Sequence, residues 1–167
     1  MCEHCGCRGV EPIADLMDEH LELLELAGDV RRHLTRRDRE AVRDALVALG
    51  QLLDDHVGRE ERGVFAAMKA QGDFADAVLD LETEHDSFAG SLGTLDPDSP
   101  DFGHRVRRLL EELSTHIDKE NLGVFPAAVV SLGASGWDLV ARAHAEHAHP
   151  HHDAHPLPHP TLEGAAL

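Results

Sequence analysis

Residues 56–65 read HVGREERGVF, and residues 116–125 read HIDKENLGVF. Both fit H-x-x-x-E-x-x-G-V-F. A His and a Glu four positions apart lie on one face of a helix, one turn apart along its axis. Outward from the first copy, Val42, Leu46, Leu49, Leu53, His56, Glu60, Val64 and Ala67 share one face over about 38–70. Outward from the second, Val106, Leu109, Leu113, His116, Glu120, Val124 and Ala127 do the same over about 102–130. Apolar residues at this period make an amphipathic helix whose stripe faces a core. Each stripe here has an imidazole and a carboxylate inside it.

The two remaining long segments repeat each other as well. DLMDEHLEL (15–23) and DLETEHDSF (80–88) share D-L-x-x-E-H. Ile13, Leu16, Met17, His20, Leu24 and Ala27 set the stripe of the first, with Pro12 suited to a first helical turn. Phe74, Val78, Leu81, His85, Phe88 and Leu92 set that of the second, over about 74–92. QGD, with Asp73 as a cap, and GTLDPDSPD, ending in Asp101 as another cap, punctuate the chain. RRHLTRRDRE (31–40) reads as a charged helix end and turn, and Pro126 should kink or loosen the last turns of the fourth helix. No β-alternation of useful length occurs. The expectation is an all-α fold, an up-down-up-down four-helix bundle over 11–148 with a short extra C-terminal helix near 136–148. A Cys-rich arm (1–10) and a His/Pro-rich segment (149–167) read as flexible tails.

The chain has 167 residues, enough for one domain with a real core. Acidic residues number 32 against 15 basic ones, a formal net charge of −17, which argues against nucleic acid and anionic membranes as partners. No apolar run reaches the roughly 20 residues of a membrane span, and no secretory signal is visible, so a cytoplasmic location is expected.

The polar groups on the apolar faces carry the chemistry. Each helix places one His in its stripe (His20, His56, His85, His116), and two add a Glu (Glu60, Glu120). Buried carboxylates are costly unless paired or bound to a cation. Imidazole and carboxylate together suit iron, manganese or zinc. Four His and two Glu, in the order H, H-x-x-x-E, H, H-x-x-x-E, suit a dinuclear site fed by two similar hairpins. A mononuclear or zinc site is the alternative.

DEH at 18–20, HVGRE at 56–60, TEH at 83–85 and HIDKE at 116–120, in this order, resemble the hemerythrin-like (HHE cation-binding) domain family over about residues 12–130. The resemblance implies two non-haem Fe ions in a four-helix bundle. His20, His56, His85 and His116 would be terminal ligands and Glu60 and Glu120 bridging ones, with an oxo or hydroxo bridge between the irons. The family's oxygen carriers have a further His one turn before the third-helix His, where this chain has Leu81. An iron position is then open or filled by water or another side chain, Glu82 being the candidate. The resemblance therefore implies binding of O2, nitric oxide or peroxide in redox or stress chemistry rather than reversible oxygen carriage. As an enzyme the chain would consume peroxide or nitric oxide. An iron- or oxygen-sensing module and an iron-handling protein are the other readings.

Cys2, Cys5 and Cys7, with His4 among them, form a C-x-x-C-x-C arm that could take a second metal, a redox disulfide or a protein partner. Seven of the 14 His lie between 144 and 159, dense enough to collect divalent metals. Gly63 and Gly123 either permit close helix approach or are merely tolerated. Val64, Phe65, Val124 and Phe125 read as core that can wall off the metals.

Overall fold

The computed structural model describes residues 9–72 and 74–146. The Cys-rich arm through residue 8, Asp73 with its expected cap, and the His-rich segment from 147 lie outside the described residues. Helix α1 spans Glu11–Arg36 and carries Pro12 in its first turn. Arg37, at φ 58°, closes it in the left-handed region, and Asp38 opens α2 (Arg39–Glu60) by accepting a hydrogen bond from the Ala41 N–H at 3.1 Å. That side-chain cap contributes about 1 kcal/mol. The charged RRHLTRRDRE segment is thus a two-residue turn between antiparallel helices. α3 (Ala66–Gln71) continues the line of α2 and stops at Gly72, whose φ of 93° a residue with a side chain rarely adopts. α4 spans Ala75–Gly93, α5 Phe102–Lys119, α6 Phe125–Ser131 and α7 Ala134–Glu146. Taking α2 with α3 and α5 with α6 as continuous rods, the long helices form the expected all-α bundle. α7, the extra C-terminal helix, lies against α1, α3 and the turn that precedes α3.

The two H-x-x-x-E-x-x-G-V-F copies share a feature that periodicity did not reveal. Glu61–Phe65 and Glu120–Val124 are each a turn of π-helix set into an otherwise α-helical rod. A π turn inserts one extra residue and rotates the following face relative to the preceding one. Pro126 is not its cause, because the Glu61–Phe65 turn is followed by Ala66. The irregularity therefore belongs to the motif, starting just after Glu60 in one copy and at Glu120 in the other.

Most stripe residues are buried as expected, with small shifts. Leu23 and Val30 are buried in α1 while Leu24 is half-buried; Phe74 is exposed and Leu92 and Ala127 half-buried. Phe74 precedes the first turn of α4, and the rotation after Glu120 moves burial from Ala127 to Ala128. Asp101 does not cap α5 with its side chain: its carboxylate accepts from the Ser99 hydroxyl instead. The core divides into two apolar clusters. One, near α7, holds Ile13, Leu16, Phe65, Val78, Leu81 and Phe125; the other, toward the α1–α2 turn, holds Leu23, Leu49, Phe88, Val106, Leu110 and Leu113. Leu16 and Leu23 flank His20, and Leu81 and Phe88 flank His85, so a polar layer is sealed between the two.

Candidate metal centre

That layer contains all six expected residues. His20, His56, Glu60, His85, His116 and Glu120 are each at most 4% exposed. α1 supplies His20, α2 His56 and Glu60, α4 His85, α5 His116, and the second π turn begins with Glu120. Their donor atoms fall into two groups: His20, His56, Glu60 and Glu120, and Glu60, His85, His116 and Glu120. Both carboxylates belong to both groups, one oxygen to each side. Glu60 turns Oε1 toward His56 Nε2 (3.2 Å) and His20 Nε2 (3.8 Å), and Oε2 toward His85 Nε2 (3.6 Å). Glu120 turns Oε2 toward His20 Nε2 (3.1 Å) and Oε1 toward His116 Nε2 (3.0 Å) and His85 Nε2 (3.8 Å).

These atoms fit cations better than one another. The Nε2 atoms of His20 and His56 and all four oxygens of Glu60 and Glu120 make no hydrogen bond despite complete burial. His85 Nε2 and His116 Nε2 face each other at 3.0 Å. Two nitrogens at about 2.1 Å from one ion and at right angles to each other would be separated by about that distance. Unpartnered buried oxygens and converging imidazole nitrogens are the donor set of a metal site. The layer could hold metal at two adjacent positions.

The ring nitrogens on the far side are held, and the pattern repeats between the hairpins. His56 Nδ1 meets Glu19 Oε2 at 2.8 Å, and His116 Nδ1 meets Glu84 Oε2 at 2.9 Å. Glu19 and Glu84 are the residues just before His20 and His85. Arg59 and Lys119, the residues just before the core Glu, pair with Glu19 and Glu84 in turn. His85 Nδ1 meets Glu61 Oε1 at 2.9 Å, and His20 Nδ1 meets Asn121 Oδ1 at 3.1 Å, each partner being the residue just after a core Glu. An Nδ1–H donated outward leaves the Nε2 lone pair pointing inward. The phenylalanines of the repeated GVF also cross between hairpins: Phe65 stacks on His85 and Phe125 on His20, both with ring centroids 5.6 Å apart. Phe88 meets His116 edge-on.

Without metal, protons take the cations' place. Burial opposes charge on His56, but the neighbouring Glu60, Glu19 and Glu120 overcome it and raise its pKa to about 10. His85 and His116 are also raised: burial lowers each, and Glu120, with Glu60 and Glu61 or Glu84, outweighs it. Burial would raise Glu120, yet His116, His20 and His85 hold it well below the ordinary carboxylate range.

Some expectations about individual residues need correction. Glu82 does not complete the site: it pairs with Lys69. Leu81 is buried in the apolar cluster beside it, as is its counterpart Leu16, so neither hairpin offers a donor one turn before its His. Gly63 does permit close approach, but to α7: a Cβ there would meet Ala143 Cβ at 3.3 Å, whereas at Gly123 it would meet nothing. The sequence reading missed Glu19, Glu84, Glu61, Asn121, Arg59 and Lys119. Their signal was present in E-H, H-x-x-[R/K]-E and the polar residue after each core Glu. Among the described residues, no helix is long and apolar enough to cross a membrane.

A family model described as hemerythrin HHE cation binding domain matches residues 11–128. No curated protein and no solved structure matches the chain.

Proposed function

This chain belongs to the hemerythrin HHE cation-binding domain family, and on that footing we propose that it holds two iron ions and binds O2, nitric oxide or peroxide at them. His20 and His56 would hold one ion and His85 and His116 the other, with Glu60 and Glu120 shared between the two. The observation that carries this reading is the sharing of both carboxylates between two donor groups, one oxygen to each. When bound, the irons supply redox and Lewis-acid chemistry toward a small ligand. The protein supplies the rest. Glu19, Glu61, Glu84 and Asn121 orient the imidazoles by holding Nδ1–H, so that Nε2 is the donor atom. Phe65, Phe125 and the apolar clusters exclude bulk water. Among the described residues no further buried His, Asp or Glu stands in the layer as a separate acid or base. Peroxide or nitric oxide consumption in a stress response is therefore favoured over substrate chemistry that needs a protein proton donor.

Metal content of protein purified without added metal, with Mössbauer spectra of the same sample, tests this. About two irons per chain, falling on Glu60→Ala or Glu120→Ala, would support it. A single zinc per chain would overturn it. Peroxide and nitric oxide turnover then separate an enzyme from a binding protein.

A further inference from the structure

The two hairpins repeat each other closely at the metal layer, so the places where they differ are informative. One turn after His20 stands Leu24; one turn after His85 stands Ala89. Leu24 packs against the apolar cluster beside the layer. Ala89 is exposed, and beside it lies a cleft of about 590 Å³ between α2 and α4. Leu53, Val57, Ala89 and Leu92 are among its walls, and His85 is part of its lining. Neither His20 nor His56 lines this cleft or the ones flanking α4 on its other side. A second difference points to the same end. His85 and His116 are both backed by carboxylates, Glu61 and Glu84, whereas His20 is backed by the neutral Asn121. Negative partners behind the imidazoles make a metal there the better electron donor.

We propose that the external ligand enters through the cleft between α2 and α4 and meets the metal pair at its His85–His116 end, with Ala89 setting the width of the passage. The inference rests on the dinuclear reading above. The walls are apolar and the rim mixes Arg39, Arg43 and Asp54, with Arg39 paired to Asp98 at 3.1 Å. Such a passage favours small uncharged molecules over ions, whose desolvation is costly. Leu24 stands in the first hairpin where Ala89 stands in the second, so Ala89→Leu narrows the passage with a residue that the chain already uses at the equivalent position.

The test is stopped-flow binding of nitric oxide to the full-length diferrous protein. Metal content and helicity are checked for each variant. Ala89→Leu should slow association and dissociation together, by about tenfold or more, leaving the affinity near that of the wild type, because a narrowed route changes both rates alike. Val57→Ala, on the facing wall, should speed both. Ala77→Leu, in the cleft of about 630 Å³ on the other flank of α4, should change neither. Wild-type rates in both Ala89→Leu and Val57→Ala would overturn the proposal, as would equal slowing by Ala77→Leu. A change in affinity with no common change in the two rates would also count against it, since it would make Ala89 part of the binding site and not of the route. Wild-type protein that fails to hold two irons would overturn the dinuclear reading itself. Two irons with rates indifferent to Ala89 would overturn only the route.

Discussion

Raising the pH should separate the metal-free and metal-loaded chains, and the size of the separation follows from His56. Its folded pKa is about 10 against an ordinary 6.5. The stabilisation from its charged form is therefore complete below pH 6.5 and fades as the pH rises through about 10. Glu120 runs the other way: its depressed value contributes above the ordinary 4.5 and is lost as the pH falls through its folded value. Metal must displace the imidazole protons. At pH 7 the His56 proton alone withholds about three pK units, or about 4 kcal/mol, from the intrinsic affinity. His85 and His116 are shifted in the same direction: burial opposes the shift, and chiefly Glu120 outweighs it. Both donate Nδ1–H outward, and their Nε2 atoms face each other at 3.0 Å, too close for both to carry hydrogen. About one proton from His56, and at most one more from the facing pair, should therefore leave per chain on loading at pH 7, and apparent affinity should rise at least about tenfold per pH unit. Calorimetric titration with ferrous iron in two buffers of different ionisation enthalpy counts the protons. Thermal unfolding from pH 6.5 to 9 should show the loaded chain pulling away from the metal-free one. No proton release, or a constant gap in Tm, would refute the electrostatic account of the layer.

Glu61→Gln should weaken metal at the His85–His116 end by about tenfold, and Asn121→Asp should strengthen it at the other end, in stepwise titrations that resolve the two sites. If the two substitutions act identically, the outer partners do not tune the ends separately. Phe125→Ala removes a fully buried ring stacked on His20 and should cost about 3–5 kcal/mol in denaturant unfolding of the metal-free chain. Gly63→Leu should displace α7 and destabilise the fold, whereas Gly123→Ala, with open space around its Cβ, should be neutral or stabilise by up to about 1 kcal/mol.

The sequence revealed the fold because its repeats carry one kind of information twice. Period and repetition together placed His20, His56, Glu60, His85, His116 and Glu120 on inward faces, and all six are buried in one layer. Two things escaped. The π turns that start just after Glu60 and at Glu120 have no signature in apolar spacing: the stripe of α2 passes through Val64 and Ala67 either way, and only the added burial of Phe65 and Met68 betrays the extra residue. The residues that hold the Nδ1 atoms escaped because each lies next to a core residue in sequence but acts across the bundle. Glu19 adjoins His20 yet serves His56, and Glu84 adjoins His85 yet serves His116. Periodicity tells which face a residue is on, not which neighbouring helix that face meets.

The same crossed geometry explains why the repeat is kept in some positions and relaxed in others. A residue whose role is to present a donor to a shared pair of ions is constrained equally in both hairpins, and there the copies agree: His with His, Glu with Glu, Glu19 with Glu84, Arg59 with Lys119, Phe65 with Phe125. A cation site with two identical ends would offer an incoming ligand no preference. The copies part where a preference can be built without disturbing the donors: Asn121 against Glu61 behind the imidazoles, and Leu24 against Ala89 at the margin of the layer. Both differences lie a single residue or a single turn from a donor, and each sets the His20 end, with Asn121 and Leu24, apart from the His85 end, with Glu61 and Ala89. On the dinuclear reading, symmetry in this chain marks what would hold the metals, and its lapses mark where a ligand would reach them.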